Sequence, residues 1–337
     1  MDKILVLTHV DESGAALTKA SLEAVAAGVE LAGGSPLTIG VLGAQAPVEQ
    51  LAGVNARVLA VTGEAFAQAR YASDAAGCEA LVRAAEATVV LAPESSRFAR
   101  VLPGVAHRVG GFVDTHITSV AKGETLEATR WYYRQRVEAV VRRETSPWFL
   151  LLDAGTRAAW SGSGAAPAVE GVAVTLPALR TTVSGVKAPK QDEQTIRPDA
   201  KILFVAGAGW TKKQADGQVH AEDAEQLILG FLHGADASLG SSKSLVDQGG
   251  ENQAVLKFMT HLNQIGQTGA TPRHPKGLST CCHGEEPHVV GWRFVNERRA
   301  INLDANCGWA RGKADVLYVA DAFKVMAKVN ELLGAKK

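Results

Sequence analysis

Lys201-Ile-Leu-Phe-Val-Ala-Gly-Ala-Gly209 reads as a short buried strand running into a glycine turn. An apolar run without polar alternation suits a strand covered on both faces, as in a parallel sheet. Glycines at the carboxyl end of such a strand let a ligand approach backbone N–H groups, phosphate at a helix N-terminus above all, although the same glycines also serve a turn with no ligand. Upstream, residues 187–198 combine proline with charge, the composition of a linker. The boundary is therefore placed near Thr195, with one domain over residues 1–194 and a second over 195–337. Downstream, residues 299–303 and 316–320 read as further strands and 323–333 as a helix, completing a second parallel unit.

The first domain shows the same alternation. Residues 3–10, 36–43, 56–62 and 88–92 are short apolar runs bounded by glycine, proline or polar residues, and they read as strands. Between them, residues 18–31 set Leu22, Val25, Val29 and Leu31 mainly along one helical stripe, and residues 73–87 do so with Cys78, Leu81 and Val82. Strand-helix-strand alternation implies a mostly parallel sheet with right-handed crossovers. After His116 the pattern changes: residues 117–120, 128–133, 137–141 and 148–152 look like strands with few helices between them, so a mixed, partly antiparallel edge is expected. Trp160-Ser-Gly-Ser-Gly-Ala-Ala-Pro167 has the composition of a flexible surface loop.

At 337 residues the chain exceeds the size at which one core usually stops growing. Lysine plus arginine and aspartate plus glutamate number 35 each, a balance that argues against a nucleic-acid partner. Met1-Asp2-Lys3 leads directly into an apolar strand without the layout of an export signal. No window approaches the roughly 18–20 apolar residues of a membrane span, so no direct membrane insertion is expected. Cys78, Cys281, Cys282 and Cys307 form no disulfide framework, and a cytoplasmic setting follows. Cys281-Cys282-His283 with His288 offers zinc-ligand chemistry, but adjacent cysteines lack the usual spacer and no second Cys-x-x-Cys pair exists. Buried small side chains are the preferred reading, and no metal site is assigned.

Gln264-Ile-Gly-Gln-Thr-Gly269 is similar to the Q-[IV]-G-Q-T-G signature of electron-transfer flavoprotein alpha subunits. Gly240-Ser-Ser-Lys-Ser-Leu-Val-Asp-Gln-Gly249 resembles that family's G-x-[ST]-R-x-x-V-D-x-G, Ala300-Ile-Asn-Leu-Asp304 its A-I-N-K-D, and Val319-Ala-Asp-Ala-Phe323 its V-[AG]-D-L-F. Cys282 to Trp292 falls without a gap on I-S-G-A-[IV]-Q-H-L-x-G-M, with Gly284, His288 and Gly291 matching. The resemblance is diffuse in the first domain and sharp in the second. It implies an α/β protein of two domains: an N-terminal, mostly parallel sheet with a mixed edge, and a C-terminal Rossmann-like sheet that binds FAD. It implies an electron carrier without substrate turnover of its own, paired with an AMP-binding beta subunit. Such a carrier accepts electrons from flavin dehydrogenases and passes them towards a quinone oxidoreductase.

The resemblance also assigns residues. Thr268 matches the threonine that hydrogen-bonds flavin N5, and His288 the histidine beside O2, where reduction deposits negative charge. Ile265, Gly266, Gln267 and Gly269 would wrap the ribityl chain. The loops beginning at Gly207 and His283, with Gly209, Gly284, Ser242 and Asn302, would serve the pyrophosphate. Lys243 stands where the family has an arginine over the flavin, and Asp321 would face a ribose or adenine group. Four positions depart further: Ala208 and Leu303 replace cationic residues, His283 a serine and Pro287 a glutamine. Lysine keeps the charge of arginine and loses its planar fork. Residues 251–262 are longer than the family pattern, and their apolar members Val255, Leu256, Phe258, Met259 and Leu262 suggest an added helical turn or two.

Two other functions stay open. One is a flavin-poor scaffold subunit, on account of Ala208 and Leu303. The other is an adenine-nucleotide-binding hydrolase or ligase, whose phosphate grip would have to follow the first strand. There His9-Val-Asp-Glu-Ser-Gly14 supplies acid where phosphate wants donors.

Overall fold

The computed structural model describes residues 2–132, 137–185, 196–197, 200–247, 254–265, 274–280, 295–306 and 314–334. The chain divides into two compact units, Met1–Lys187 and Ala188–Lys337.

The first unit runs β1 (Ile4–His9), α1 (Lys19–Ala32), β2 (Leu37–Gly43), β3 (Arg57–Thr62), α2 (Tyr71–Ala84), β4 (Val89–Pro93), α3 (Ser96–Val109), β5 (Phe112–Lys122), β6 (Leu126–Tyr132), β7 (Val137–Val141), β8 (Trp148–Leu152) and β9 (Val169–Gly171). The strands form one sheet in the order β7-β6-β5-β8-β4-β1-β2-β3-β9. Pairing is parallel from β5 through to β9 and antiparallel for β5 with β6 and β6 with β7. This is the mixed edge that the apolar runs after His116 imply.

Burial follows strand alternation. Ile4 and Val6 of β1 face one core with α1, while Leu5 and Leu7 face the other with α2 and α3. Thr18 caps α1 by accepting from Ser21 N, and Gly33 ends it in the left-handed region. Gly28 lets α1 lie close on the sheet, since a Cβ there would meet Val6 Cγ2 at 2.2 Å. The loop 160–167 is anchored: Trp160 N donates to Leu22 O, its indole to Ala52 O, and Gly53 N to Ala165 O. The large indole supplies an attachment that the glycine and serine content does not reveal.

The second unit runs β10 (Ile202–Ala206), α4 (Ala221–Ala235), β11 (Ser238–Ser241), α5 (Lys243–Val246), β12 (Lys276–Thr280), β13 (Glu297–Asn302), β14 (Val316–Val319) and α6 (Ala322–Gly334). All five strands are parallel, in the order β11-β10-β12-β13-β14. Phe204, Ile228, Phe231 and Met326 belong to a core with α4 and α6, and Leu203, Val205, Ile265, Val295 and Ala300 to a second cluster. Residues 254–262 do not add α-helix. Met259 N closes a turn on Leu256 O, and His261–Asn263 form a single 3-10 turn. Leu256 is buried while Leu262 is 71 % exposed, so these apolar residues lack a common helical face.

Helices α2 and α3 share a buried ion pair. Arg97 donates to both Asp74 oxygens (2.8 and 2.7 Å) and to Phe66 O, with side-chain exposures of 7 % and 0 % for Arg97 and Asp74. Removing one partner of such a pair leaves an uncompensated buried charge. Asp74→Ala is expected to lower the unfolding free energy by about 3–5 kcal/mol in urea titrations, and the double variant Asp74→Leu/Arg97→Met by far less. Equal losses in the two proteins would contradict this account.

Candidate functional site

In a parallel sheet of order 2-1-3-4-5, ligands sit beyond the carboxyl ends of the strands, at the point where the order reverses. Here that point lies between β10 and β12. The strand ends are level, because Ala206 pairs with Ser241 and Thr280, Thr280 with Ile301, and Asn302 with Val319. Gly207, Ser242, Asn302 and Asp321 each lie within two residues of this row, so the fold gathers four residues that are far apart in the chain.

Their local contacts differ from a simple phosphate cradle. Gly207 N donates to Thr280 O at 2.8 Å and Ser242 N to Ala206 O at 2.9 Å, so neither N–H is free for an anion. After Gly207 the chain turns through a 3-10 helix, Ala208–Thr211, all buried, and α4 begins only at Ala221. Trp210 lies fully buried beside β12, donating its indole N–H to Thr280 Oγ1 at 2.8 Å, with its ring tilted by 56° against Phe323 at 4.6 Å. Ala208 is also buried. Gln214 Nε2 holds the loop by donating to the carbonyls of Gly209 and Lys212.

At the β11 end, Ser242 caps α5 by accepting from Leu245 N. The Lys243 ammonium is half exposed and 3.7 Å from Asp247, whose carboxylate also meets His261 at 2.8 Å. Ile265 is buried, its N–H donating to Ser241 O. It packs so close to β11 that a Cβ on Gly240 would come within 2.9 Å of Ile265 Cγ2. Among the described residues, Ser241 Oγ is buried and without a hydrogen-bond partner. At the other side, Gln214, Ile301, Asn302, Leu303, Ala320, Asp321 and Ala322 line a shallow, solvent-open depression with room for about one water molecule inside it. Asn302 Oδ1 accepts from Asp304 N, and Asp321 Oδ1 accepts from Phe323 N and so caps α6. The carboxylate keeps a second oxygen that suits a ribose hydroxyl.

Gly266, Gln267, Thr268, Gly269, His283, Gly284 and His288 lie outside the described residues. Trp210, Thr280 and Gln214 were not singled out by the sequence reading. Trp210 carried the one available signal, a large aromatic directly after the glycine pair.

The first unit has a reversal of its own, between β1 and β4, where the hydrolase reading would need free donors. The turn after β1 is closed on itself: Ser13 N donates to Asp11 Oδ1, Gly14 N to Asp11 O, Ala15 N to Ser13 Oγ and Thr18 N to His9 O. His9 Nδ1 donates to Val10 O, so its Nε2 accepts from Ser95 Oγ, both at 2.8 Å. Burial lowers the His9 pKa and keeps the ring neutral.

A family model, the electron transfer flavoprotein domain, matches residues 6–178, just over half of the chain. The chain belongs to the electron transfer flavoprotein family. No curated protein matches it. The matched residues fall in the first unit, with its mixed sheet, and family members are electron carriers rather than enzymes. No helix among the described residues is long and apolar enough to cross a membrane.

Near the depression, His220 sits between Asp216 at 2.7 Å and Asp223 at 3.3 Å, its ring edge towards Phe323. The hydrogen bond to Asp216 raises the His220 pKa above its ordinary value, and the nearby carboxylates add to it. A raised folded-state pKa contributes stability that is complete below the unfolded value of about 6.5 and is lost as pH rises through the folded value. NMR titration of the His220 ring should give a midpoint above about 6.5 that falls in Asp216→Asn. An unmoved midpoint in the variant would remove the ion pair as the cause.

Proposed function

We propose that this chain is the alpha subunit of a heterodimeric electron transfer flavoprotein. Its second domain, beginning near residue 195, would hold FAD and, with a beta subunit, relay electrons from flavin dehydrogenases towards a quinone oxidoreductase. The observation that carries the reading is the level carboxyl edge of the five-stranded sheet, along which Ser242, Asn302 and Asp321 are strung from one edge strand to the other. Family membership supports the electron-carrier role. A cytoplasmic setting accords with Cys78, a free buried thiol whose pKa is pushed up by burial and which is correspondingly inert.

The described residues fit FAD in part. The open depression between Asn302 and Asp321 suits the ribose of the adenosine half, and the unpartnered Ser241 hydroxyl borders the segment leading into Gly266 to Gly269. Bound FAD would supply the reversible electron acceptance that none of the twenty side chains provides. The chain's part is to bind and orient it. Asn302 and Asp321 hold the sugar, Lys243 supplies positive charge, and Thr268 and His288 are assigned to the redox edge by resemblance. The pyrophosphate has fewer donors than the family pattern suggests, because the N–H groups of Gly207 and Ser242 are already engaged. That observation favours the second reading, a flavin-poor scaffold subunit.

A visible spectrum of the chain purified with its beta subunit separates the two. A flavin absorption band is expected, and a colourless complex would select the scaffold. In the flavin-bound complex, Asn302→Ala and Asp321→Asn should each weaken FAD retention about five- to tenfold, the loss of about 1–1.5 kcal/mol per hydrogen bond. Asparagine still caps α6, so reduced retention in Asp321→Asn with an unchanged melting temperature reports the ligand contact. Retention equal to the parent in both variants would overturn the ribose assignment.

A further inference from the structure

The first unit carries a side-chain cluster apart from the candidate site described above. β5, β8 and β4 lie side by side, and their pairing leaves three side chains together at one end. Glu94 directly follows β4, Asp153 directly follows β8, and His116 stands in β5 where its register with β8 skips from Asp114 opposite Leu150 to Ile117 opposite Leu152. The extra residue in β5 is a bulge, which re-aims side chains and persists at functional positions. Glu94 N donates to Leu152 O and Asp153 N to Ile117 O, so both carboxyl-bearing residues are fixed to the sheet.

The geometry is that of a coordination sphere. His116 Nδ1 lies 3.3 Å from Glu94 Oε1 and 3.3 Å from Asp153 Oδ1. One ligand atom from each of the three residues falls within 4.8 Å of the others. His116 Nδ1 is also within hydrogen-bond reach of Asp153 Oδ1, and the His116 backbone N–H donates to Glu94 Oε2. Metal–ligand bonds of about 2.0–2.1 Å set neighbouring ligand atoms of a tetrahedron about 3.3–3.4 Å apart. The carboxyl side chains are only 14 % and 12 % exposed, while the imidazole is 52 % exposed and leaves an entry path.

We propose that Glu94, His116 and Asp153 form a binding site for a divalent transition-metal ion of the zinc or manganese class. Imidazole with two carboxylates selects such an ion over calcium or magnesium, which take oxygen ligands alone. Three protein ligands leave a further position for water. The ion cross-links the carboxyl ends of β4 and β8 to the bulge within β5 and acts on the stability of the first unit, independently of any flavin.

The competing account is an ion pair of protonated His116 with its neighbours. Titration calorimetry of the full chain, stripped with chelator and carrying no polyhistidine tag, decides between them. Zinc chloride should bind at one ion per chain and raise the melting temperature, magnesium chloride should not, and His116→Ala and Asp153→Asn should each weaken zinc binding at least about tenfold. X-ray absorption at the zinc edge guards against a variant that fails to fold and against binding at Cys281 and Cys282. Nitrogen and oxygen neighbours at about 2.0 Å support the site, whereas sulfur at about 2.3 Å overturns it. Unchanged affinity in either folded variant, or no zinc binding to the parent, also overturns it.

Discussion

Parallel pairing constrains both units in the same way. Each parallel strand is followed by a connection that leaves from the same edge of the sheet, so residues just beyond the carboxyl ends meet however far apart they stand in the chain. The level row from Ser241 through Ala206 and Thr280 to Ile301 is what gathers the second unit's candidate residues. The order β5-β8-β4 does the same for Asp153 and Glu94, and the β5 bulge brings His116 to them. Both arrangements depend on buried apolar strands holding register, which ties them to the cores on the two faces of each sheet.

The apolar strands were legible in the sequence, since burial on both faces writes itself as an unbroken run: Ile4 to Leu7, Val89 to Ala92 and Trp148 to Leu152 are buried throughout. β11 and β12 were not. Ser238-Leu-Gly-Ser241 and Lys276-Gly-Leu-Ser-Thr280 are largely buried yet mostly polar or glycine, because close packing on Gly240 and hydrogen bonding by Thr280 replace apolar bulk there. Helix α3 hid behind Arg97 and Pro103, one buried through its pair with Asp74 and the other inside the helix. The triad Glu94, His116 and Asp153 has no local spacing to read. It exists only once strand order and the β5 bulge are known.

The two halves of the family argument rest on different residues. The family match lies on residues 6–178, whereas the motif resemblance is sharp between Gly240 and Phe323. A helix-and-sheet scaffold tolerates substitution as long as volume and pattern are kept, so short motifs fade within it while its overall profile remains recognisable. A ligand site behaves in the opposite manner, holding a few side chains at fixed positions.

Trp210 sharpens what the second unit can accept. With its indole buried against Thr280 and Phe323, the reversal point between β10 and β12 is filled by protein. A dinucleotide bound at this edge would therefore pass over that plug. At this edge the Gly207 and Ser242 N–H groups are engaged, and Lys243 is shared with Asp247. Compensating charge must then come from elsewhere along the same edge, and His283, placed by resemblance at the phosphate turn, is the residue whose protonation could supply it.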